Sequence, residues 1–361
     1  LILQELHEAL GARFVTLANA TLVNDYGHWT VEHAALQSSV GILDFSFRSR
    51  LCLTGGDRIR FLHGQVTNDI KKLRPGEGCY AALVTAKGKM ESDLNIFNLA
   101  DEILLDFEPG LTTAVTQRLE KYIVADDVQL VDAAPYYGLV SIQGPKSSDV
   151  VQALGLFQPL PTNAFSSLKV SDTTLGEIYL ANHPRLGTSG FDLFIPNHSL
   201  NAVADKLIAA ARERDGQPCG WQAFETARIE AGIPRFGADM NDSCLPLECN
   251  IESRAVVYNK GCYIGQEIIN RIHSFGHVNK ELRGLLLTSP TGVHAAPGDK
   301  LFHQNQEAGQ LTSVTPSPVL QTDIALGYVR REYNQIGTEL TVKNAAGEIA
   351  ARVVALPFKK S

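Results

Sequence analysis

The chain has no CxxC pair and no second cysteine cluster: its 6 cysteines lie scattered through 361 residues. That gives no support to a disulfide scaffold, nor to a zinc or iron–sulfur site held by this chain alone. Reduced thiols and a cytoplasmic location are the expectation. No stretch approaches the roughly 18 apolar residues of a membrane-spanning helix, so no membrane partner is expected. GxGxxG and P-loop patterns are missing, which leaves nicotinamide and nucleoside-triphosphate chemistry without local support. His273 and His277 stand four apart, but Gly276 lies between them and no HExxH glutamate accompanies them, so no metal is expected. An excess of positive charge is absent too. The formal net charge of -7 and pI near 5.8 argue against a surface built to neutralise nucleic-acid phosphates. No fixed-period repeat or low-complexity tract is visible.

What remains is an ordinary globular composition, 44% hydrophobic and 20% charged. A single core seldom grows past about 250 to 300 residues, so more than one domain is expected. The first 130 residues mix β-rich runs at 50–54, 79–85, 94–98 and 103–107 with helical spacing at 57–62 and 111–122. This pattern fits an α+β layer fold better than a βαβ array. Lys87-Gly88 reads as a hairpin turn. Strands are expected at 139–143, 177–181 and 191–195, with helices from Pro145 through Leu154 and from Ser199 onward. Residues 155–175, with Pro159 and Pro161, read as a surface connection. From about Leu282, short β runs at 284–287, 325–329, 339–342 and 351–355 point to a small β-barrel or sandwich, with a boundary near residue 280.

The most informative stretch is the octapeptide Lys260-Gly261-Cys262-Tyr263-Ile264-Gly265-Gln266-Glu267. Its glycines suit a tight loop, and a helical pattern follows with Ile264, Ile268 and Ile272 on one stripe. Cys262 near a helix N-terminus, with Lys260 nearby, meets the two conditions that favour a thiolate. The competing reading is a buried structural cysteine, and spacing leaves the two level.

A second anomaly lies between Gly220 and Gly232, where Arg228 falls in the apolar stripe of Trp221, Phe224, Ala227 and Ala231. A guanidinium there needs either an internal carboxylate, such as Asp93 or Asp192, or the polar edge of a ligand. Asp93 itself follows a tight turn and alternates with Leu94, so it points away from that residue's face.

Several segments together carry a resemblance: Gly41 to Ser46, Phe61 to Asp69, Gln143-Gly144-Pro145, Ala227 to Gly232, Leu326 to Val329 and Leu356-Pro357-Phe358. They resemble the folate-binding YgfZ family and the related T protein of the glycine cleavage system, an aminomethyltransferase (GcvT). The octapeptide resembles the YgfZ signature alone. The resemblance implies a GcvT-like α+β fold of two intertwined ferredoxin-like subdomains with a C-terminal β-barrel. Residues 1–280 would form the folate-binding region, with its two subdomains joined near 155–175, and residues 281–361 the barrel. Tetrahydrofolate or a derivative is the implied cofactor, with Arg228 and Asp93 as its ligands. Two departures from the T protein stand out: Ser92 replaces the first of two aspartates, and Thr188 replaces a glutamate.

From this comes the functional expectation of a tetrahydrofolate-binding accessory protein for iron–sulfur cluster assembly or repair. Cys262 would act as the reactive thiol, with Lys260, Gly261, Tyr263, Gly265, Gln266 and Glu267 forming its motif. Its partners would be folate and iron–sulfur client proteins or assembly factors, and it would work as a monomer. The alternative is a tetrahydrofolate-dependent aminomethyltransferase of the T-protein type, depending on Asp93 and not on Cys262.

Overall fold

The computed structural model describes residues 2–290 and 292–358. Contacts divide the chain into two compact units. The first holds residues 1–83, 92–227 and 259–263; the second holds 84–91, 228–258 and 264–361.

Two sheets organise the first unit. A six-stranded sheet runs in the order Ser167–Asp172, Gly176–Asn182, Gly190–Pro196, Tyr137–Gln143, Gly41–Asp44 and Gln217–Pro218. A five-stranded sheet runs Glu77–Val84, Met90–Asn98, Ile103–Phe107, Ser49–Thr54 and Gln129–Asp132. The chain starts the first sheet at Gly41–Asp44, leaves to build all of the second, and returns with Tyr137–Gln143, so the two subdomains are intertwined. Alternation explains their packing. Phe45, Leu139 and Phe194 from one sheet meet Cys52, Phe97 and Leu104 from the other in a shared core. On the far side of the six-stranded sheet, Leu200, Val203 and Leu207 of the helix Asn197–Arg212 pack on Val140, Ile142 and Ile195. Behind the five-stranded sheet, Phe61, Leu62, Val115 and Leu119 from two helices cover Leu51, Leu53, Ile103 and Leu105.

In the second unit the strands Lys280–Thr288, Thr322–Arg330, Gln306–Ser317, Lys300–His303, Glu339–Asn344 and Gly347–Val354 close into a barrel around Leu285, Leu287, Leu301, Val342 and Val353. The fold is thus GcvT-like, mixed α and β, with a six-stranded C-terminal barrel.

Two expectations are corrected. The connection expected at 155–175 contains the strand Ser167–Asp172, which pairs with Gly176–Asn182 at the edge of its sheet. Edge placement leaves Leu168, Lys169 and Val170 short of full burial, so the strand carries little apolar signal. The barrel strand Gln306–Ser317 escaped notice because Ser313, Thr315 and Ser317 occupy buried positions where apolar residues are the norm.

Candidate functional site

In the first unit, Asp93 sits on the strand Met90–Asn98 after the hairpin at Lys87-Gly88. Gly88 there adopts φ +73° and the Thr85 amide donates to the Lys89 carbonyl at 2.8 Å. Leu94 is fully buried, whereas Asp93 is half-buried. The Tyr80 hydroxyl donates to Asp93 Oδ2 at 2.8 Å, fixing the carboxylate. Its neighbour Ser92 is fully buried and donates to the Asp93 carbonyl at 3.0 Å. Thr188 is exposed on the loop between Gly176–Asn182 and Gly190–Pro196.

The segment 259–263 belongs to the same unit. Lys260 is buried, and its Nζ donates to the carbonyls of His63, Val66 and Asn68, each at 2.7 Å. It also lies 4.8 Å from the Tyr263 ring centroid, within cation–π range. Burial lowers its pKa to about 8. Asn68 Nδ2 in turn donates to the Tyr80 carbonyl at 2.8 Å. One hydrogen-bonded path therefore runs from Lys260 through Asn68 and Tyr80 to Asp93. The sequence named the two ends of this path but neither Asn68 nor Tyr80 as functional. Asn68 lies in the Phe61–Asp69 segment, and Tyr80 lies on the strand expected at 79–85; nothing local marks either as a relay. His63, at 3.3 Å from Asp69, was also missed; burial and the Lys260 charge push it below the usual imidazole range.

Cys262 is exposed, which removes the buried structural reading. The Lys260 ammonium, expected to act beside the thiol, is spent instead on three carbonyls, because a buried charge needs acceptors. Tyr263 is buried and Gly261 exposed.

The rest of the octapeptide belongs to the second unit. Gly265 adopts φ +85°, and a Cβ there would come within 2.5 Å of the Thr85 carbonyl oxygen, so glycine is required. It caps the helix Gln266–Phe275, on which Glu267 is exposed and Gln266 half-buried. Ile269, not the expected Ile268 and Ile272, is the fully buried residue of this helix.

Arg228 also lies in the second unit, near the C-terminus of the helix Trp221–Glu230. It is 1% exposed and ion-paired with Asp239, and Asp192, one of the two partners expected from sequence, is corrected. Asp192 pairs with Arg185 and His183 instead, each at 2.7 Å. Arg228 also donates to the Ser313 hydroxyl at 2.7 Å, which donates to Asp239 at 2.7 Å. Any folate contact by Arg228 has to be made alongside a carboxylate it already holds.

The GCVT N-terminal domain model matches residues 3–260, and the glycine cleavage T-protein C-terminal barrel domain model matches residues 280–360. An aminomethyltransferase of Halalkalibacterium halodurans is 28% identical over 358 residues, covering 99% of this chain and 96% of the relative. Another, from Picosynechococcus sp., is 29% identical over 367 residues, covering 99% and 97%. The crystal structure of the glycine cleavage system aminomethyltransferase T from Bartonella henselae superposes with a TM-score of 0.88 at 24% identity, covering 100% of this chain and 98% of that one, a likeness of fold.

These likenesses overturn the expected iron–sulfur accessory role, because the full-length relatives are named as aminomethyltransferases. The octapeptide, with the departures at Ser92 and Thr188, separated the two readings, and in the structure its lysine bonds three carbonyls. The chain belongs to the family defined by the GCVT N-terminal domain, followed by the glycine cleavage T-protein C-terminal barrel.

Proposed function

We propose that this protein transfers the one-carbon unit of a thiol-carried aminomethyl group to tetrahydrofolate, giving methylenetetrahydrofolate and releasing ammonia and the free thiol. The observation that carries the reading is the full-length likeness to aminomethyltransferases across both family domains. Tetrahydrofolate is the family's cofactor, and when bound it supplies the nitrogens that accept the one-carbon unit. Residues 1–280 are assigned as the folate-binding region and 281–361 as the barrel. The donor set fits a reduced pterin, since Asp93 offers a carboxylate that is only half-buried and is held in place by Tyr80.

Asp93 acts as proton acceptor or electrostatic anchor beside a folate nitrogen, a role in which a positioned carboxylate is worth about 10²- to 10⁴-fold. Tyr80 holds that carboxylate, Asn68 bonds the Tyr80 backbone carbonyl, and Lys260 holds the segment carrying Asn68. With Ser92 and Thr188 in place of acidic residues, Asp93 carries the acid–base role in this reading. Cys262 stands outside the transfer step. The six free thiols suit a reducing, cytoplasmic setting.

The test is to incubate the full chain with tetrahydrofolate and an aminomethyl group carried on a thiol, and to measure methylenetetrahydrofolate together with the ammonia and thiol released. Formation that requires protein, donor and folate supports the reading; no formation overturns it.

A further inference from the structure

A cavity of about 200 Å³ opens in the first unit, away from the Lys260 to Asp93 path, none of whose residues line it. Strand pairing builds its walls. Leu104, Cys52 and Val131 stand side by side on three neighbouring strands of the five-stranded sheet, and Tyr179 and Phe194 are cross-strand partners in the six-stranded one. Tyr136 and Tyr137 line the same space where the chain crosses from one sheet to the other. The Tyr137 and Tyr179 rings lie 6.1 Å apart between centroids and are inclined at 64°, so the aromatic lining occupies two planes.

Glu102 is the carboxylate of this lining. It is half-buried, lies within hydrogen-bonding reach of the Cys52 thiol, and forms no ion pair among the described residues. Its charge acts across the space. Burial first, and Glu102 after it, push up the Cys52 thiol and the Tyr179 phenol; burial, Glu177 and Glu102 do the same at Tyr137. Glu177 is already paired with Lys169 at 3.1 Å. Arg50 also borders the cavity, but its Nη2 is turned onto the carbonyls of Tyr137, Ser46 and Ala134, and its Nε and Nη1 are buried. Asp106, Asp44 and Asp132 oppose its charge. The unpaired charge of the lining is therefore negative and is set among tyrosine rings.

We propose that this cavity binds a small quaternary ammonium ion, with its methyl groups against the tyrosine rings and its charge opposite Glu102. Aromatic rings attract a cation through their quadrupole, and quaternary ammonium ions are the ligands that aromatic cages take. A primary ammonium needs acceptors for three N–H groups and is costly to bury without them, whereas a quaternary one donates no hydrogen bond. Size fits as well, since an apolar cavity of about 150 Å³ already holds benzene, which is close in bulk to a trimethylammonium head.

Choline is the probe, titrated calorimetrically into the full chain at constant ionic strength. Beside it run the uncharged alcohol in which carbon replaces its nitrogen, and the primary amine ethanolamine. Saturable choline binding is expected, with each analogue at least about fivefold weaker. Tyr136 is 65% exposed and Glu102 half-buried, so Tyr136→Ala and Glu102→Gln leave the core intact. Each is expected to weaken choline by at least about threefold. No saturation up to about 10 mM choline overturns the proposal. So does either analogue binding within that fivefold margin of choline, or either variant binding within the threefold margin of wild type.

Discussion

Two buried cations, one in each unit, are satisfied in opposite ways. Arg228 meets a carboxylate, Asp239, and a serine hydroxyl that returns its hydrogen bond to the same carboxylate. Charge cancels within the barrel unit. Lys260 meets three neutral carbonyls and the Tyr263 ring, and the path it anchors leads through Asn68 and Tyr80 to a half-buried carboxylate. The first arrangement gives the cation a full countercharge. The second fixes in place a group that a ligand can reach. Burial of a charge is therefore a poor guide to function until its acceptors are known: a matched countercharge marks a structural pair, and a positioned path toward partly exposed polarity marks a site.

This contrast can be broken experimentally. Arg228→Met leaves Asp239 buried without its countercharge and is expected to cost about 3–5 kcal/mol of stability in urea unfolding; a loss below about 1 kcal/mol would mean that the pair is not structural. Lys260→Met removes three charge-assisted hydrogen bonds and is expected to cost about 2–3 kcal/mol.

The lysine also carries a pH signature. Its folded pKa of about 8 lies below the reference value of 10.5, so between those values the unfolded chain binds more protons. Stability of the wild type relative to Lys260→Met is thus expected to rise as pH climbs from about 8 to about 10.5. Unfolding midpoints of both proteins across that window check the sign, and a fall would contradict it. Tyr80→Phe, which frees Asp93 without removing it, should lower turnover by up to about tenfold, equivalent to one hydrogen bond. The smallest effect is expected at exposed Cys262, where Cys262→Ala should stay within about 0.5 kcal/mol of wild-type stability and leave turnover unchanged.

The sequence made most of the fold legible because its apolar periodicity is regular where elements bury one face. The strands at 103–107, 139–143 and 191–195 and the barrel strand at 325–329 all fall where alternation or apolar runs place them. Signal failed where polar residues are buried. Ser313 and Ser317 are buried where Arg228, Asp239 and Glu230 need hydroxyl partners, so the strand Gln306–Ser317 breaks the binary pattern. At the site, a turn followed by a strand gave only the direction of Asp93, and the resemblance singled it out. Its supports were not legible, because Lys260 and Asn68 lie 192 residues apart and meet through a backbone carbonyl that no spacing rule encodes. The octapeptide misled for the same reason. Its lysine and cysteine are neighbours in sequence, but Lys260 is buried on three carbonyls while Cys262 is exposed.

The central claim is that Asp93, held by Tyr80, performs folate-dependent group transfer. Its most direct test is the turnover of Asp93→Asn relative to wild type, with Cys262→Ala run in parallel and all three proteins matched for folding by circular dichroism. A loss of at least about 100-fold in Asp93→Asn, with Cys262→Ala unchanged, is the predicted result. Turnover that survives in Asp93→Asn and disappears in Cys262→Ala would contradict it.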